Sequence, residues 1–136
     1  MSASSTPKCS VIRPTSGYDG KQGLTYVAGI AAETVGSKAL CMHVVTIPPG
    51  ARAKAHLHAA HESAVYVLSG TARTWFGIGL EDFADMGPGD MMYIPAGVPH
   101  LPANLGTEPC TAIIARTDPH EQESVVLLPE LDGLAR

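Results

Sequence analysis

The chain has 136 residues, nine basic and thirteen acidic side chains and a formal charge of −4. That is one domain's worth of sequence, and at 45% hydrophobic it carries more apolar residues than a disordered chain. The acidic balance argues against a phosphate-backbone partner such as nucleic acid.

Residues 1–22 are rich in serine, proline and glycine and show little pattern, so they read as an N-terminal arm. The opening MSASSTPKCS lacks the apolar run of a signal peptide, and no stretch approaches the ~20 apolar residues of a membrane span. From residue 23 to 117 the chain becomes a series of short apolar, β-branched runs. They are Leu24–Ile30, Ala39–Ile47, Ala64–Leu68, Thr71–Ile78, Met91–Ile94 and Cys110–Ala115, closed by turns such as Pro48-Pro49-Gly50, Ser69-Gly70 and Gly87-Pro88-Gly89. Short strands at about 8–12-residue spacing predict an all-β sandwich or barrel. Ala51–Ala64 holds His56 and His58 two apart, on one face of a strand but on opposite sides of a helix, and reads as strand and loop. The tail, 118–136, is acidic around the apolar Val125–Leu128 and is expected to pack on the barrel or on a second subunit. Cys9, Cys41 and Cys110 form no CxxC pair and read as reduced thiols, which fits a cytoplasmic protein.

Four of the six histidines fall in two short stretches. In the first, His56 and His58 project to the same side of a strand about 7 Å apart, a spacing suited to two ligands of one ion. In the second, His100 follows the turn Pro95-Ala96-Gly97. His43 is a candidate pocket or supporting residue, while His120 reads as solvated. Trp75 and Tyr93 are candidate pocket walls. Arg52, Lys54 and Arg73 are candidate cations in the barrel, although a solvated strand edge also explains them. Asn104 reads as a residue that fixes the loop after His100 by bonding backbone.

The two stretches resemble the paired motifs of the cupin superfamily. Gly89, Pro95, Gly97, His100 and Asn104 match the second motif position for position, and Gly50, His56, His58 and Gly70 match the first. The glutamate of the first motif is out of register. Glu62 follows His58 with three residues between them, whereas a gap of six residues counted back from Gly70 lands on Ser63. Three arrangements compete: a bulge turns Glu62 inward, Ser63 faces inward and leaves three histidines, or His61 makes a fourth imidazole. Side-chain parity does not decide, because this strand is apolar on both faces.

The resemblance implies a double-stranded β-helix (jelly-roll) barrel and a mononuclear divalent metal, Fe, Mn, Ni, Cu or Zn, on His56, His58, Glu62 and His100. It implies a homodimer and an enzyme acting on an oxygenated small molecule as a dioxygenase, isomerase, decarboxylase or lyase. A metabolite-binding or sensing protein is the alternative, as is a metal-free sugar-epimerase-like one. The latter would need a basic cavity, for which Arg52, Lys54, Arg73 and Arg116 are the candidates.

Overall fold

A computed structural model describes residues 6–13, 17–120 and 124–136. In chain order the strands are β1 (Gly17–Asp19), β2 (Thr25–Ile30), β3 (Cys41–Ile47), β4 (His56–His58), β5 (Ser63–Ser69) and β6 (Ala72–Phe76). They continue as β7 (Asp82–Met86), β8 (Met91–Ile94), β9 (His100–Ala103), β10 (Cys110–Arg116) and β11 (Val125–Leu127). A one-turn helix, Ala32–Val35, and a 3₁₀ segment, Pro129–Leu134, complete the described elements. A six-stranded sheet, β1-β2-β3-β10-β5-β8, faces a five-stranded sheet, β11-β4-β9-β6-β7. Their ladders are antiparallel. This is the all-β jelly-roll architecture that the motifs implied.

The period-2 alternation of strands sets the layers. On β3, Cys41, His43, Val45 and Ile47 are buried while Met42 and Thr46 are exposed. On β10, Cys110, Ala112 and Arg116 are buried on the same inner side. Where the inner faces meet, Leu24, Tyr26, Val45, Ile47, Val67 and Ala112 form the main core. Ala55, Trp75, Leu101 and Ala103 point the other way, on the outer face of the five-stranded sheet, and the C-terminal Leu128, Leu131 and Ala135 cover them. The Trp75 Nε1–H donates to the Arg136 carbonyl at 2.9 Å, and the Ala55 N–H donates to Asp132 Oδ1 at 2.6 Å. The described tail residues therefore pack on their own barrel, with β11 extending the sheet beside β4.

Three elements differ from the sequence expectation. Sheet structure begins at Gly17, inside the segment read as arm, because β1 pairs with β2. Strand β7 was not anticipated, since its Asp82 and Asp85 break the apolar pattern. Its pairing with β6 supplies what its composition lacks, including two Arg73–Asp85 hydrogen bonds of 2.7 and 2.9 Å. The short helix after Ile30 is closed by Gly36 at φ 70°, a left-handed cap that needs no side chain.

Candidate metal centre

Strands β4 and β9 are neighbours with His56 directly opposite His100. The Gly97 N–H donates to the His58 carbonyl at 2.8 Å, so the Pro95-Ala96-Gly97 turn is tied to β4 and delivers His100 to the two earlier histidines. Ring centroids lie 4.2 Å apart for His56–His100, 5.1 Å for His56–His58 and 5.3 Å for His58–His100. Their ligand nitrogens all fall within 4.8 Å of one another, and all three residues are buried.

The protonation pattern suits ligation. His56 Nδ1 lies 2.7 Å from the Lys54 carbonyl and His100 Nδ1 lies 2.9 Å from the Val98 carbonyl. A carbonyl only accepts, so each Nδ1 carries the proton and each Nε2 lone pair faces the other imidazoles. Burial, reinforced by the neighbouring His100, holds the His56 pKa down at about 3. Burial likewise holds His100 at about 4. Burial and the Arg116 charge depress His58 further. The three rings are therefore neutral at pH 7, as metal ligands must be.

Around them, His58 Nδ1, His61 Nε2 and Ser63 Oγ are buried without a hydrogen-bond partner among the described residues. Orphaned polar atoms of this kind are costly unless something satisfies them. Neutral imidazoles converging on one point beside such atoms fit a nitrogen- and oxygen-ligated divalent transition metal.

Glu62 is not brought to this point. Its carboxylate is exposed and accepts a 2.6 Å hydrogen bond from the Tyr93 hydroxyl, while its N–H donates to Thr117 Oγ1 at 3.0 Å. No bulge turns it inward. Ser63, Val65 and Val67 form the inward set of β5 and line the cavity, so Glu62 falls on the side of Ala64 and Tyr66. A one-residue offset on a strand exchanges faces. His61 is 2% exposed and its ring sits 4.5 Å from that of His58, yet it stands outside the three-histidine group. Its Nδ1 lies 2.8 Å from Ser124 Oγ and 3.7 Å from Asp118.

The triad lines a cavity of about 60 Å³ with apolar residues such as Leu24, Val45, Ile47 and Ile114. Trp75 and Tyr93 do not line it, whereas Met92 does. His43 is buried on the inner face of β3, edge-on to Tyr26 at 5.4 Å. His120 is half-exposed and lies 3.4 Å from Glu33. Asn104 is wholly buried and its Nδ2 donates to the Ile47 and Glu108 carbonyls at 2.9 and 2.7 Å. Three of the four candidate cavity cations lie outside it: Arg52 binds the Asp132 carbonyl, Arg73 pairs with Asp85, and Lys54 is exposed. The cation that does face the cavity is Arg116, 4% exposed at the end of β10. The alternation Cys110, Ala112, Ile114, Arg116 along β10 is the sequence signal that would have distinguished it from the other three.

A family model for the cupin domain matches residues 43–116. The chain belongs to the cupin family. Among solved structures, this cupin is similar to a protein from Acidithiobacillus ferrooxidans described as a sugar phosphate isomerase. The identity is 30% over 68% of this chain and 58% of that one, with a TM-score of 0.56. It also shares its fold with the oxalate decarboxylase of Lactobacillus farciminis, at 21% identity over 83% of this chain and TM-score 0.70. The Mn(II)-containing oxalate decarboxylase of Bacillus subtilis gives 24% over 86% and TM-score 0.67. The cupin spans only 33% and 30% of those two chains. No curated protein sequence matches it.

Proposed function

We propose that this cupin is a metal-dependent enzyme that acts on a small oxygenated molecule through a centre of His56, His58 and His100. The observation that carries the reading is the convergence of three buried, neutral imidazoles on the lining of a cavity. With three protein ligands, positions remain for substrate. A divalent Fe, Mn, Ni, Cu or Zn ion there would supply Lewis acidity and, for iron, O₂ chemistry. The chain's own contribution is to keep the rings oriented through the Lys54 and Val98 carbonyls and to wall off water with aliphatic side chains. Ser63 places a hydroxyl on the same cavity. Dioxygenase, isomerase, decarboxylase and lyase chemistry all suit such a centre, and a three-histidine site favours oxygenase chemistry because more positions stay open.

A binding or sensing role is the alternative and would use the same cavity without turnover. An epimerase-like role finds less support, because one cation and apolar walls do not make a diphosphate site. In this reading the protein is cytoplasmic, in keeping with its free cysteines, and no helix of the described residues is long and apolar enough to cross a membrane. It is a homodimer through the outer face of the six-stranded sheet, where Met42, Tyr66, Leu68, Met91 and Tyr93 are exposed.

Cobalt(II)-loaded protein titrated with acetohydroxamate tests the reading. Displacement within the visible cobalt bands is expected in the wild type and not in His100→Ala. Unchanged bands in the wild type would mean that no position is open to substrate.

A further inference from the structure

We propose that Arg116 is the anion-recognition residue of this cavity, binding the carboxylate of a small monocarboxylate whose apolar remainder lies on the barrel walls. The inference rests on the cavity being the substrate site and names the class of molecule it takes.

The backbone places the guanidinium. Arg116 pairs with Cys41 on one side and with Ser63 on the other, so it sits level with the start of β5, where the inward Ser63 stands. It continues the inward set Cys110, Ala112 and Ile114, all of which line the cavity. At the corresponding inward positions strands of a jelly roll bury aliphatic residues, and an arginine there carries a desolvation cost of several kcal/mol. A position that breaks the local pattern at such cost is where function is expected. The guanidinium is hydrogen-bonded to the Tyr26 hydroxyl, and the Tyr26 ring lies 5.8 Å from Arg116 Cζ, which holds the planar fork in place.

The cavity has one sign of charge. Among the described residues that line it, Arg116 is the one permanently charged side chain, and the lining contains no Asp or Glu. Arg116 lines the same cavity as His56, His58 and His100, which places its charge beside the candidate metal centre. A guanidinium matches a carboxylate with two parallel hydrogen bonds, more strongly than a neutral group. Away from the histidines, Ser63 and Thr74 the walls are mostly apolar, and about 60 Å³ is several times the roughly 10–15 Å³ that one water needs. A ligand of a few heavy atoms, charged at one end and apolar at the other, satisfies both features.

The test is calorimetric titration of the full-length chain, metal-loaded and chelator-stripped, with butyrate and with its neutral counterpart butyramide. The wild type is expected to bind butyrate at least ten-fold more tightly than butyramide in both forms. In Arg116→Gln that ratio should fall to near one while metal content stays at the wild-type level. Should Arg116→Gln not fold, Tyr26→Phe keeps the charge but frees the guanidinium, and it should weaken butyrate several-fold with butyramide unchanged. No butyrate binding by the wild type, a wild-type ratio near one, or a ratio unaltered in the variants would overturn the proposal. The stripped form separates the two readings: a chain that fails to take up metal contradicts the metal centre, and the butyrate ratio still decides the role of Arg116.

Discussion

Lys54 and Val98 offer His56 and His100 only backbone carbonyls, and that choice of partner fixes which ring nitrogen is free to ligate. The same burial that keeps these rings neutral makes the metal-free protein sensitive to acid. Their native pKa values, about 3 and 4, lie below the unfolded value of 6.5, so the unfolded chain binds more protons between those limits. Stability is then fully present above pH 6.5 and is lost as pH falls toward 3, with each histidine adding up to about 1.4 kcal/mol per pH unit. Urea unfolding of stripped protein from pH 7.5 to 4 should show this decline, and replacing His56 by Gln should flatten it. A profile level through that range would contradict the burial argument. Ser63 offers a second test. It occupies the inward position separated from Gly70 by six residues, where the family motif carries its glutamate, so Ser63→Glu should slow metal loss to a chelator about ten-fold. Unchanged loss would mean that the inward position does not face the ion. The three histidines were legible because their spacing and the Gly and Pro positions around them are chemically restrictive. Which of Glu62, Ser63 and His61 turns inward was not, since Ala64, Tyr66 and Leu68 are as apolar as Val65 and Val67.

Turns carry much of the alignment between elements. Asn104 holds the end of β3 to the loop before β10 through the Ile47 and Glu108 carbonyls, and it accepts the Gly106 N–H at 2.9 Å. Asn104→Ala would orphan the buried Ile47 carbonyl, at about 1–3 kcal/mol, and two part-buried groups that water can partly satisfy, so it should cost about 2–4 kcal/mol in all. Urea unfolding checks the figure, and a cost below about 1 kcal/mol would remove Asn104 from its structural role. Gly70 sits at φ 76° with the Pro109 carbonyl where a Cβ would fall, so its place in the motif is dictated by space as well as dihedral angle. Strands with clear alternation, β3 and β10, could be read from the sequence. Strand β7 could not, because Phe83 is 51% exposed and its place is set by β6 across the ladder. Arg116 could be named only as one of four candidate cavity cations, because a charged residue at a strand end also reads as solvated unless the strand's phase is followed to its last position.

At the scale of the molecule, the two outer faces differ. The C-terminal residues cover that of the five-stranded sheet, whereas on that of the six-stranded sheet Ile12 shares a pocket with Val27, Val44 and Ile113 while Tyr66 and the neighbouring Met91 stay exposed. An exposed apolar surface on one sheet marks an interaction site, and a second copy of the chain is the proposed cover. Tyr66→Lys should shift the protein from dimer to monomer in sedimentation velocity with its metal content intact. A monomeric wild type would contradict the pairing. The double-sided apolar character of β5, which hid the phase of the strand, fits this arrangement: one face lines the cavity and the other belongs to the surface proposed to meet a second copy.

The central claim is that His56, His58 and His100 hold one metal ion without Glu62. Elemental analysis of protein purified without chelator, on the wild type, His58→Ala and Glu62→Ala in parallel, tests it most directly. About one ion per chain in the wild type and in Glu62→Ala, with none in His58→Ala after reloading, is the predicted result. Loss of the ion from Glu62→Ala, or its retention by His58→Ala, would contradict the assignment, and a wild type that takes up no metal would overturn the metal centre itself.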